Sequence, residues 1–165
     1  MSSKLSKPFA ASRGSALVLA AMLVLVSGLT AAAQSDDGSR LEGTWRAQLT
    51  VRDCGTMAVL RTFPAIFTFD KAGTVTYTTA GQLPSLFTPG MGVWHHMNGH
   101  TYSAVTEVFG FSTAGAWTQT HRITRLIHVS TDANTFTDNV ALQIFAADGS
   151  LIATGCGATV ASRME

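Results

Sequence analysis

Apolar and polar residues alternate one by one over long stretches of the chain after residue 42, the period of a strand with a dry face and a wet face. The clearest run is 43–52, where Gly43, Trp45, Ala47, Leu49 and Val51 interleave with Thr44, Arg46, Gln48, Thr50 and Arg52. In 57–69 the dry positions continue as Phe63, Ala65, Phe67 and Phe69. Pro64 removes one ladder donor there and points to an edge, a bulge or a poorly paired stretch. Seven clusters rich in turn residues cut the pattern, at 53–56, 70–73, 79–92, 98–99, 112–116, 131–134 and 147–150. Seven breaks make eight strands, expected over 43–52, 57–69, 74–79, 93–97, 100–111, 117–130, 135–146 and 151–163. No stretch carries a helical period, and the connections are too short for parallel crossovers. The expected fold is therefore all-β, an eight-stranded antiparallel up-and-down barrel spanning 43–165. Its wet face separates it from an outer-membrane barrel, whose outer wall is apolar all round.

Residues 1–33 read differently. Lys4, Lys7 and Arg13 precede an uncharged apolar run from Ala16 to about Val26, and Ala31, Ala32 and Ala33 supply small residues for a signal peptidase. The expectation is a signal peptide cleaved after Ala33, then a flexible segment over 34–42 and an exported, periplasmic or secreted domain. A membrane anchor needs roughly 20 apolar residues, which this run does not reach. All three charges of the leader are positive, so the remainder keeps eight Lys and Arg against ten Asp and Glu. That balance offers no basic stripe for nucleic acid or an anionic membrane. Export also permits a disulfide. Cys54 follows the first strand and Cys156 lies in the last, neighbours in a closed barrel; a bond would pin the seam, and the alternative is two independent thiols.

With Gly43-Thr44-Trp45 opening the first strand, Arg163 ending the last, a second Gly-x-Trp at Gly92-Val93-Trp94 and an Asp-x-x-Gly turn at Asp70–Gly73, the chain resembles the lipocalin-like barrels of the calycin superfamily. The small exported bacterial members are the most similar. The resemblance implies that Trp45 closes one end of the barrel with Arg163 lying against it. An arginine over an indole face is also a sound plug physically. Strand alternation puts the compact turns 70–73, 98–99 and 131–134 at that closed end. The mouth then receives 53–56, 112–116 and the long stretch 79–92, where Leu83, Leu86 and Phe87 form an apolar lid or a plug.

Asn98-Gly99 is a strong two-residue hairpin signal and implies a register in which Met97 faces His100 and Trp94 faces Ser103. Trp94, His96, Thr101, Ser103, Val105, Glu107, Phe109 and Phe111 then share one face. This set holds more bulky aromatic groups and is assigned to the interior, although the opposite set is also rather apolar. Glu107 becomes the only interior acid, with His96, His121 or Arg125 as partners. The candidate ligand-binding set is Trp94, His96, Ser103, Val105, Glu107, Phe109, Phe67, His121 and Arg125. Glu107, His96 and His121 are the candidates for proton transfer.

His95 and His96 cannot both point inward, His121 and His128 oppose each other, and no metal-ligand or phosphate-loop motif occurs, so no metal or cofactor is expected. The function expected is binding of a small apolar or amphipathic molecule by a monomeric barrel. The alternatives are a barrel isomerase or cyclase using Glu107 and a histidine, or a structural barrel without ligand.

Overall fold

The computed structural model describes residues 36–165, so the leader expected over 1–33 lies outside the described residues. Eight strands follow in order: β1 (Gly43–Arg52), β2 (Val59–Phe69), β3 (Thr74–Thr79), β4 (Gly90–Asn98), β5 (Thr101–Phe111), β6 (Trp117–Val129), β7 (Thr135–Ala146) and β8 (Leu151–Arg163). Each pairs antiparallel with the next, and β8 closes on β1 to complete an up-and-down barrel. Among the described residues no helix is long and apolar enough to cross a membrane.

The closed end is built as the alternation requires. Trp45, Phe67, Phe69 and Phe136 are fully or almost fully buried and meet mostly edge to face, Trp45 and Phe136 with ring centroids 5.0 Å apart. Burying each such ring contributes about 1.5–3 kcal/mol. The Arg163 guanidinium lies 4.2 Å from the Trp45 ring centroid and donates to the carbonyls of Arg40, Glu42 and Ala133. Gly43 has to be glycine at this spot: its φ is +112°, and a Cβ would stand 2.8 Å from Arg163 Nη1. Ahead of β1, Asp36–Leu41 forms a 3₁₀ helix. Leu41 is fully buried there, and its carbonyl accepts from Trp45 Nε1 at 2.9 Å.

Two local departures matter for the site. First, β4 starts at Gly90, three residues earlier than expected, because its glycines make room for neighbours rather than breaking the chain. A Cβ on Gly90 would overlap the Tyr77 ring. Secondly, the β4–β5 register is one residue off the simple hairpin. Asn98 pairs with Thr101, His96 with Tyr102 and Trp94 with Ala104, with a bulge between His96 and Asn98. One residue of slip exchanges the two faces of a strand. Tyr102, Ala104, Thr106 and Val108 are therefore interior, and Ser103, Val105, Glu107 and Phe109 face out. The exchange is favourable because it leaves the Glu107 carboxylate beside Arg122 at the surface instead of among aromatic rings.

Pro64 marks the point where β3 runs out: the β2–β3 ladder ends at Ala65 and Thr79, so no bond to β3 is lost from its missing N–H. The mouth half of β2 beyond it is bridged by the 80–89 loop, through a bond from Arg61 Nη1 to the Gly81 carbonyl.

Candidate functional site: a cavity at the barrel mouth

Inward positions grow smaller or less complete toward the mouth, and space opens there. β8 contributes bare Gly155 and Gly157 to the wall, opposite Leu142 and Val140 of β7. A cavity of about 180 Å³ results, walled by Leu49, Val51, Phe63, Ile123, Leu142 and Ile144. Arg125 and Tyr77 face it from the barrel's middle, and Gln82 and His121 from its rim.

The floor holds a buried ion pair. Arg125 Nη1 donates to Asp138 Oδ2 at 2.6 Å and to Thr159 Oγ1 at 3.0 Å. Arg125 and Asp138 are 2% and 4% exposed, so this is a buried ion pair rather than a surface contact. The guanidinium also lies 4.7 Å from the Phe67 ring centroid and 5.5 Å from that of Tyr77, which spreads its charge over two aromatic faces. Burial raises the Tyr77 phenol above its ordinary range, against the opposing pull of Arg125, so Tyr77 stays protonated at neutral pH.

The rim is made by the loop between β3 and β4. It is fastened on three sides: Arg61 to Gly81, a bridge from Phe87 to Gly110 of β5, and a 3.1 Å bond from the Gln82 side-chain nitrogen to His121 Nδ1. The amide nitrogen can only donate, so His121 Nδ1 accepts and its proton resides on Nε2. Burial lowers the His121 pKa below its ordinary value, which keeps the ring neutral. The Phe87 ring lies with its centroid 5.3 Å from that of His121. Leu83 is exposed, whereas Leu86 and Phe87 are half-buried, and Leu83 and Phe87 line a smaller hollow of about 100 Å³ under the loop.

Several expected site residues come together here and several do not. His121 and Arg125 line the cavity, and Phe67 lies directly beneath Arg125. Trp94 points inward but toward the closed end, its Nε1 donating to the Asp70 carbonyl at 2.9 Å. His96 is exposed beside the β4–β5 turn and bonds the Gly99 carbonyl. Ser103, Val105, Glu107 and Phe109 are on the outer wall, and Glu107 receives both Nε and Nη2 of Arg122 at 2.9 and 2.8 Å. The interior acid is Asp138 instead. Its signal was present, because Phe136, Asp138, Val140, Leu142 and Ile144 share one strand parity and four of the five are apolar.

Cys54 and Cys156 are bonded, with Cα atoms 5.2 Å apart, across the β1–β8 seam at the mouth. Asp53 shapes the turn that presents Cys54, accepting from the backbone N–H groups of Gly55 and Thr56. Among the described residues no group of three or more His, Cys, Asp or Glu is arranged to hold a metal ion. Compared with known proteins, the chain matches no family model and no curated sequence, so its role has to be read from the barrel itself.

Proposed function

We propose that the protein is an exported carrier of the lipocalin-like type, holding a small apolar or amphipathic molecule in the mouth cavity. The observation that carries this reading is a cavity of about 180 Å³ whose wall is aliphatic and aromatic, set above a few buried polar groups that can orient a guest. The alternative of a filled structural barrel is disfavoured by that space. The alternative of a proton-transferring isomerase loses its carboxylate, because Glu107 lies outside and is engaged by Arg122. Export is supported by the leader-like pattern over 1–33 and by the disulfide, which persists in oxidising compartments. Closure of β8 on β1 removes the strand edges through which barrels associate and favours a monomer.

Native mass spectrometry of the protein purified gently from an exported fraction tests the reading. A discrete extra mass that is lost on denaturation is expected. An apo mass under those conditions, together with no uptake of any apolar probe by the purified protein, would overturn it.

A further inference from the structure

Two of the polar residues that line the cavity carry an unpartnered donor, while the other unpartnered buried atoms among the described residues, Asp138 Oδ1 and Thr106 Oγ1, belong to residues that do not line it. Arg125 Nε and His121 Nε2 are buried side-chain atoms without a hydrogen-bond partner, and both residues line the cavity. Arg125 Nε is always a donor. His121 Nε2 is a donor as well, since Nδ1 is committed to accepting from Gln82. A buried donor without a partner is costly, and an acceptor atom brought to it recovers that cost. The cavity therefore selects for an acceptor.

Charge decides which acceptor. A lone buried arginine would be a receptor for a carboxylate. Here Asp138 stands 2.6 Å from Arg125 and already neutralises it. A second carboxylate on the same guanidinium would put a net negative charge into a wall of Leu49, Ile123, Leu142 and Ile144, and would face Asp138 as a like charge. His121, held neutral by burial, offers no compensating cation, and Arg61, the other cation of the lining, is exposed at the mouth with its Nη1 engaged by the Gly81 carbonyl.

From these observations we propose that the guest is an uncharged molecule with an apolar body and a single acceptor oxygen, of the ketone, ester or ether class, and that Asp138 is the residue that excludes carboxylates. Size bounds the body. A dry apolar cavity of about 150 Å³ admits a benzene ring, so this one takes roughly six to ten non-hydrogen atoms. This inference rests on the carrier reading, and the probes below separate the two.

Binding of octane, octan-2-one and octanoate to the wild-type protein at pH 7.5 is compared by calorimetry or by ligand-detected NMR. The expected order has octan-2-one at least tenfold tighter than either octane or octanoate. Octane binding as tightly as the ketone would overturn the role of the donors while leaving the carrier standing. Octanoate binding as tightly as the ketone, or more tightly, would overturn the exclusion of anions in the same way. No binding of any of the three would overturn both readings. In Asp138→Asn the discrimination against octanoate is expected to shrink at least tenfold. An Asp138→Asn protein that folds and keeps full discrimination would remove Asp138 from the proposal. The wild-type series decides the ligand class even where that variant does not fold.

Discussion

Asp138 and Glu107 are both carboxylates paired with an arginine on β6, yet their surroundings assign them opposite weights. Asp138 is 4% exposed on the inner wall, and removing it leaves Arg125 as an uncompensated buried charge. Asp138→Ala is expected to cost about 3–5 kcal/mol of unfolding free energy, read from urea midpoints. The double change Arg125→Met with Asp138→Leu should recover much of that loss, because it removes the stranded charge as well as the pair. Glu107 has a side chain 38% exposed, and Glu107→Gln should change stability by no more than about 1 kcal/mol. Equal losses from Asp138→Ala and Glu107→Gln would contradict the assigned faces of β5 and β7. His121 adds a pH dependence with a definite sign. Its flanking inward residues are Val108 of β5 and Ile144 of β7, with Phe87 and Gln82 above; Arg61 and Arg125 line the same cavity, and burial is what lowers its pKa. The folded state favours the neutral ring, whereas the unfolded chain takes up its proton near the ordinary value of 6.5. Its contribution is thus intact above pH 6.5 and is lost as pH falls below that value toward the lower native one. Protonation of the folded protein also removes the acceptor that Gln82 uses, so the rim loop loosens at the acid end of this window, as pH falls through the lowered native value. Urea midpoints measured from about pH 8 down to about pH 5 should decline over this window in the wild type, and the decline should be smaller in His121→Phe.

The strands themselves were legible because their signals are local: an alternation of period two and turn residues at each break. Seven of the eight have bounds within two residues of those expected. β4 differs because Gly90 and Gly92 read as loop residues, and the reason for them is a close approach by Tyr77 and by the Val105 backbone that no local pattern encodes. The contents of the site were less legible for a similar reason. A bulge between His96 and Asn98 reverses the faces of β5, and with them the fate of Ser103, Val105, Glu107 and Phe109. Both faces of β5 carry apolar residues, so only the long-range fit of Tyr102 and Val108 into the core decides between them. The seam joining β1 to β8 makes the clearest prediction at this scale. Cys54 and Cys156 are 102 residues apart in sequence, so the bond removes a large loop entropy from the unfolded chain. By that account Cys54→Ser with Cys156→Ser should cost up to about 4–5 kcal/mol, with the barrel still forming. Comparison of oxidised, reduced and double-serine protein in urea checks this. A loss below about 1 kcal/mol would mean that the β1–β8 ladder alone holds the seam.

Taken as one object, the barrel is divided along its axis into an end that is packed and an end that is not. Trp45, Phe67, Phe69, Tyr102 and Phe136 fill the closed half, and Arg163 with Leu41 seals it, so folding there has no need of a guest. The mouth half is held open by the disulfide, by bare β8 glycines and by a loop tied to β2, β5 and β6. Such a division predicts that occupancy of the cavity can be removed without unfolding the protein. Leu49 is half-buried and lines the cavity, so Leu49→Phe extends a ring into existing space instead of overpacking a filled core. The variant is expected to melt at or above the wild-type temperature when both are empty, and to bind the apolar guest at least tenfold more weakly. For the wild type, a guest at a hundred times its dissociation constant should add about 2.7 kcal/mol of stability, and the same concentration should add at most about 1.4 kcal/mol to Leu49→Phe. Thermal melts with and without guest measure both quantities together. Equal stabilisation of the two proteins would place the guest outside the barrel, and a large drop in the empty melting temperature of Leu49→Phe would show that the mouth is already as tightly packed as the closed end.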